Sequence, residues 1–109
     1  MIPEIDQQQA NLIALCRRYR VRQLQLFGSA ATGAFVPAAI DLDFIAEFAD
    51  TQSDDYADRF LDFAEALEKL FNRRVDVLTK RAIRNPFFRA EVERTARVIY
   101  EDTYQKTPA

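Results

Sequence analysis

Apolar residues recur along this chain with two periods, and each change of period marks an element. From residue 4 to 20, Ile5, Leu12, Cys16 and Tyr19 fall at helical spacings, and Pro3 suits the start of a helix. Residues 23–27, Gln-Leu-Gln-Leu-Phe, alternate as a strand does and run into Gly28-Ser29 and a short helix. Residues 40–48, Ile-Asp-Leu-Asp-Phe-Ile-Ala-Glu-Phe, read as a second strand. A polar loop from Asp50 to Asp55 then leads into a helix that Ser53 or Asp54 is placed to cap. Its apolar stripe is Tyr56, Phe60, Phe63, Leu67, Leu70 and Phe71, which reads as core. Residues 74–79, Arg-Val-Asp-Val-Leu-Thr, make a third strand. Asn85-Pro86 reads as cap and first turn of a last helix over 86–101, with Phe88, Val92, Ala96 and Ile99 on its buried side. The tail after Asp102 is expected to fray. The order α-β-α-β-α-β-α predicts an α/β (α+β) fold, a small mixed three-stranded sheet packed with helices, in a single domain spanning 1–109.

Composition narrows the chemistry. The 109 residues suffice for one core, and 49% hydrophobic residues with 9 Phe and 4 Tyr exclude disorder. Fifteen Lys and Arg against seventeen Asp and Glu give a net charge of −2, which argues against direct nucleic-acid binding and an anionic membrane surface. One cysteine, Cys16, excludes a disulfide framework and fits a reducing compartment. There is no histidine, so Ser-His-Asp and Cys-His chemistry and imidazole-ligated metals are excluded. Catalysis must rest on carboxylates, hydroxyls, Arg, Lys or a bound ion. No apolar run is long enough to span a membrane, and Met1-Ile2-Pro3-Glu4 does not open a signal peptide, so a cytoplasmic protein is expected.

Both glycines, Gly28 and Gly33, lie in the six-residue window Gly-Ser-Ala-Ala-Thr-Gly. A glycine between strand and helix lets the backbone approach a phosphate, and Ser29 adds a hydroxyl; a plain tight turn would use the same residue. Further on comes Asp41-Leu42-Asp43. Residues i and i+2 of a strand share a face, so Asp41 and Asp43 point one way while Leu42, Phe44, Ala46 and Phe48 cover the other. Two carboxylates about 4 Å apart repel by roughly 4 kcal/mol at an effective dielectric near 20. Such a pair takes up a proton, holds a cation, or lies solvated on an edge strand. With oxygen donors alone, the cation favoured is Mg²⁺ or Mn²⁺. Asp76 stands opposite in side-chain sense to Val75 and Val77, and completes a three-carboxylate cluster if its strand neighbours the second. Three carboxylates on adjacent strands are the protein side of two-metal phosphoryl transfer.

Taken together, Leu26-Phe27-Gly28-Ser29, Asp41-Leu42-Asp43-Phe44-Ile45-Ala46-Glu47-Phe48 and Asp76 in Val-Asp-Val-Leu-Thr resemble a minimal nucleotidyltransferase domain of the DNA polymerase beta-like superfamily. The resemblance extends to Arg84-Asn85-Pro86-Phe87-Phe88-Arg89 and covers nearly the whole chain. It implies the polymerase-beta-like fold. It implies that Gly28 and Ser29 hold the nucleotide triphosphate, that Asp41, Asp43 and Asp76 are catalytic and bind metal, and that Asp76 helps activate the attacking hydroxyl. It further implies two Mg²⁺ ions with bound nucleotide, Mn²⁺ being an alternative, and transfer of a nucleoside monophosphate, AMP from ATP first of all, to a hydroxyl. The hydroxyl acceptor suggested is a tyrosine of a HEPN-type toxin, because small members of the family act as antitoxins beside such a partner. The alternative is a non-catalytic antitoxin module that neutralises a HEPN-type partner by occlusion. Two positions depart from the family pattern: Thr32 stands where an arginine is usual and Ile40 where a serine is usual. Arg17, Arg18, Arg73 and Arg74 are the cations available to replace that arginine.

Overall fold

The computed structural model describes residues 1–102. Its elements are α1 (Glu4–Gln7), α2 (Gln9–Arg18), β1 (Val21–Phe27), α3 (Ser29–Thr32), β2 (Leu42–Phe48), α4 (Tyr56–Phe71), β3 (Val75–Leu78), a 3₁₀ turn (Lys80–Ala82), α5 (Pro86–Thr95) and β4 (Arg97–Glu101). The expected fold class holds, but the sheet has four strands, in the order β3-β2-β1-β4. β1 pairs antiparallel with both β2 and β4, and β2 pairs parallel with β3 across the α4 connection.

Residues 97–101 depart from the expected last helix. Val92, Ala96 and Ile99 fall at helical spacing, yet α5 stops at Thr95 and Ala96 is already extended (φ −62°, ψ 137°). Arg-Val-Ile-Tyr-Glu is rich in β-branched and aromatic residues. As a strand it satisfies the second edge of β1, whose backbone groups would otherwise lack a ladder. The first helix also divides: it breaks at Gln8 and ends at Arg18, and Arg20 adopts a left-handed conformation (φ 58°). The cap expected of Ser53 or Asp54 falls to Asp55, whose side chain makes no cap bond. The Asn85 cap is as read: its Oδ1 accepts from Phe87 N–H and Phe88 N–H, with Pro86 in the first turn. The expectation for the tail after Asp102 lies outside the described residues.

The two faces of the sheet carry different loads. On one, Leu24, Leu26, Leu42, Phe44, Ala46, Phe48 and Val77 meet Leu12 and Cys16 of α2 and Phe63 and Leu67 of α4. Phe48 anchors this core through ring contacts at 5.6–5.7 Å with Tyr56, Phe60 and Phe63. Full burial of each large side chain contributes about 1.5–3 kcal/mol. Burial pushes the Cys16 thiol up to about 12, so it packs as a small apolar residue. The other face holds a smaller cluster, Phe27, Ile45, Ile83 and Val92, under α5, and leaves polar side chains beside it. No described helix is long and apolar enough to cross a membrane.

One polar knot closes the end of the sheet where β1 begins. Arg59, buried on α4, donates to Tyr19 O (3.1 Å), Asp50 O (2.7 Å) and Ser53 Oγ (3.1 Å), and pairs with Asp55 at 3.0 Å. Arg20 meets the same Asp55 at 2.7 Å. The hydrogen bond from Ser53, then that from Arg59 and the charge of Arg20, hold the Asp55 carboxyl below its usual range. Stability from this depressed group is present above the unfolded value near pH ~4 and is lost as pH falls through the folded value. Arg59→Met should cost about 1–3 kcal/mol, because it removes the donor from two carbonyl acceptors in a part-buried corner. Urea denaturation at neutral pH measures this, and the variant's loss should shrink in acid as Asp55 protonates in the wild type.

Candidate active site

The end of the sheet opposite that knot gathers the predicted residues. Parallel pairing of β2 with β3 sets Asp43 directly against Asp76, with Leu42 against Val75 and Phe44 against Val77. Directly paired residues share a face, so Asp43 and Asp76 both project on the side opposite the main core. Asp41 lies just before β2 rather than inside it, since the strand begins at Leu42. Antiparallel pairing sets Phe27 against Asp43, which brings the turn after β1 to the same place.

Gly28 adopts φ 75°, ψ −154°, a combination open in practice to glycine alone. A Cβ there would stand 3.2 Å from Asp43 Oδ2. The turn and the acid are therefore in contact distance. Ser29 follows, exposed, at the start of α3. Gly28 O accepts from the backbone N–H of Ala31 (3.1 Å) and Thr32 (3.4 Å), which tightens the turn.

Two further residues hold the site, and no sequence signal marked them for this role. Thr95, almost wholly buried at the end of α5, accepts the Gly28 N–H on Oγ at 3.0 Å and donates its own hydroxyl to Glu91 O at 3.0 Å. Phe88 meets Phe27 edge-on at 6.0 Å. Together they clamp α5 over the turn. Arg74, one of four arginines available in the sequence, pairs through Nε with Asp41 Oδ1 at 3.2 Å.

Burial raises the Asp43 carboxyl above its usual range, and the neighbouring charges of Asp76 and then Asp41 raise it further. The three acids thus form a concentration of negative charge without full compensation. Among the described residues, no three acidic side chains are already gathered to hold an ion. Their chemistry fits a hard divalent cation: the donors are carboxylate oxygens, and the repulsion at Asp43 is what a cation would relieve. Asp41 would have to turn from Arg74 to join. On the same face, Gln25, Ile45, Lys80, Ile83, Arg89 and Val92 line a cleft of about 440 Å³.

Comparison with known proteins agrees with this geometry. The nucleotidyltransferase domain family matches residues 12–99. Two candidate protein adenylyltransferases of Methanocaldococcus jannaschii are similar to the chain. One is 33% identical over 76 residues, 70% of this chain and 74% of the relative; the other is 32% identical over 79 residues, 72% and 76%. A solved candidate minimal nucleotidyltransferase superposes with a TM-score of 0.69 at 28% identity, covering 89% of this chain and 95% of that one. A chain from a tri-AMPylated HEPN toxin in complex with an MNT antitoxin, from Shewanella oneidensis, shares the fold at 17% identity. Its TM-score is 0.60, with 94% of this chain and 76% of that chain covered. The chain belongs to the nucleotidyltransferase domain family, and its fold is similar to that of the solved candidate minimal nucleotidyltransferase.

Two outcomes follow, one from the electrostatics at Asp43 and one from the backbone at Gly28. Asp43→Asn removes the acid whose ionised form the fold disfavours. A raised carboxyl favours folding fully below its unfolded value, and the advantage is lost as pH rises through the folded value. The variant should therefore melt at or above the wild type at pH 7, with the difference closing below pH ~4 in thermal scans. Gly28→Ala should lose about 1–3 kcal/mol, from backbone strain and the approach to Asp43, as read by chemical denaturation.

Proposed function

We propose that this nucleotidyltransferase transfers AMP from ATP to a protein hydroxyl. The observation that carries the reading is the Asp43–Asp76 cross-strand pair, with Asp41 at the strand entrance and the Gly28-Ser29 turn in contact distance. In this reading Gly28 and Ser29 receive the triphosphate, since nothing projects from residue 28 and the Ser29 hydroxyl is exposed. Asp41, Asp43 and Asp76 would hold Mg²⁺, two ions with nucleotide bound, or Mn²⁺. Bound metal supplies charge neutralisation at the transferred phosphoryl group. Asp76 accepts the proton of the acceptor hydroxyl. The hydroxyl oxygen forms a bond to the α-phosphorus while the bond to the bridging oxygen of the β-phosphate breaks, and pyrophosphate leaves. The cleft beside Ile45 gives the acceptor side chain room on the face that carries Asp76.

Several features support a protein acceptor. The similar Methanocaldococcus jannaschii proteins are described as candidate protein adenylyltransferases. Solved neighbours include toxin–antitoxin complexes, one containing AMP-PNP and one an AMPylated HEPN toxin. Phe35 is 79% exposed and Ile40 50%, and both lie on the segment that joins the Gly28 turn to Asp41. Exposed apolar side chains beside a site mark a surface for another protein. The partner we propose is a HEPN-type toxin, and the setting the cytoplasm. The same exposed surface favours a second reading, in which the chain neutralises that partner by occlusion without transfer.

The test is incubation of a HEPN-type partner with ATP carrying a labelled α-phosphate, Mg²⁺, and either wild type, Asp41→Asn or Asp43→Asn. Transfer should add the mass of AMP to the partner, and each variant should lose at least about 100-fold in rate with its fold intact. Neutralisation of the partner by both variants at wild-type level would favour occlusion instead.

A further inference from the structure

The proposed site has an electrostatic deficit. Asp43 and Asp76 stand side by side, with Asp41 at the strand entrance, where a polyanionic triphosphate must arrive, and the turn from Gly28 to Gly33 contains no lysine or arginine. Metal offsets part of that charge, and a protein cation is needed for the rest. The structure sorts the candidates. Arg17 and Arg18 lie in the last turn of α2, beside the start of β1 and the length of that strand away from Gly28. Arg73 is half-buried and donates through Nη2 to Val36 O at 3.0 Å, with its Nη1 buried and unpartnered among the described residues, so it is not held on the acids. Lys80 faces Glu47, and Arg89 donates to Ile83 O at 2.9 Å. Arg74 differs from all of these. Its backbone carbonyl accepts the Leu42 N–H at 3.1 Å, and the register of β3 sets it at the entrance of β2, level with Asp41. Its side chain is 76% exposed and touches Asp41.

Resting on the nucleotidyltransferase reading of the site, we infer that Arg74 is a two-position cation: it occupies Asp41 in the free protein and moves to the triphosphate when nucleotide and metal enter. In the first position Arg74 competes with metal for the Asp41 carboxylate, so one of the three acids is offset and the empty site resists metal alone. In the second, Asp41 turns to the ion and the released guanidinium donates to phosphate oxygens. The role is that of a phosphate-binding side chain supplied from the start of β3. It stands in for a cation that Thr32 does not provide, since the Thr32 hydroxyl only bonds back to Gly28 O at 3.4 Å. An exposed ion pair suits this exchange because it is weak enough to give way.

Loss of Arg74 should therefore move two affinities in opposite directions. Mn²⁺ titration without nucleotide, read by the spin resonance of free Mn²⁺, should show Arg74→Ala binding about 2- to 5-fold more tightly than wild type, because Asp41 is released. Calorimetry with ATP and Mg²⁺ should show the same variant binding about tenfold or more weakly, with a smaller loss for AMP, which lacks the outer phosphates. Arg74→Lys keeps a point charge without the fork and should fall between. Adding Asp41→Asn to Arg74→Ala should erase the gain in Mn²⁺ affinity, since the two act through one contact. Arg74 is exposed, so its variants should melt with the wild type. If wild type binds Mn²⁺ and ATP but Arg74→Ala changes neither, or changes both in the same direction, the inference is overturned and the transferase reading stands. If wild type binds neither, the reading of the site fails and the inference falls with it.

Discussion

The parallel ladder between β2 and β3 is the constraint on which the rest of this site depends. Antiparallel strands can be joined by a tight turn, whereas parallel strands need a crossover, and α4 provides it. The crossover sets the register that opposes Asp43 to Asp76. A slip of one residue would carry Asp76 to the core face and bring Val75 or Val77 beside Asp43. What prevents the slip is the opposite face, where Leu42, Phe44, Val75 and Val77 pack against the α4 stripe. Apolar burial on one side of the sheet thus holds charge together on the other.

Concentrating charge has a cost, and the structure shows where it falls. Asp43 is partly buried and faces two other acids, so its carboxyl is raised from its ordinary value. Arg74 offsets one of these acids through an exposed ion pair with Asp41. The Gly28 turn adds a constraint of its own, since its backbone occupies a region that other residues avoid. That conformation is stabilised from outside by the Thr95 hydroxyl, which takes the Gly28 N–H and passes its own hydrogen bond to Glu91 O. Stability in the main core, and in the Arg59 knot at the far end, is what lets the site end remain strained and charged.

The arrangement leaves one side of the acids open. The acid face is only partly covered: α5 spans Phe27, Ile45 and Ile83, and the cleft beside them stays accessible. Polar and apolar groups line it together, Gln25, Lys80 and Arg89 beside Ile45, Ile83 and Val92. The exposed Phe35 and Ile40 stand on the segment leading into Asp41.

Local pattern and motif spacing were enough to read the course of the long helices, though not where the first breaks or the last stops, and with them three of the strands and the Asn85 cap. They also singled out Gly28, Ser29, Asp41, Asp43 and Asp76, of which the fold sets Asp43 against Asp76 and beside Gly28. These depend on periodicity and on residue chemistry, both of which are properties of neighbours in the chain. β4 was not legible, because Ala96 and Ile99 fit a helical period and only the unsatisfied edge of β1 decides for a strand. Nor was the clamp by Thr95, 67 residues from Gly28, since a hydroxyl acquires that role only where the fold brings a donor to it. Four arginines looked equivalent in the sequence; the register of β3 against β2 placed Arg74 alone of them in contact with the acids. Sequence determined which groups could do the chemistry, and long-range backbone pairing decided which of them meet.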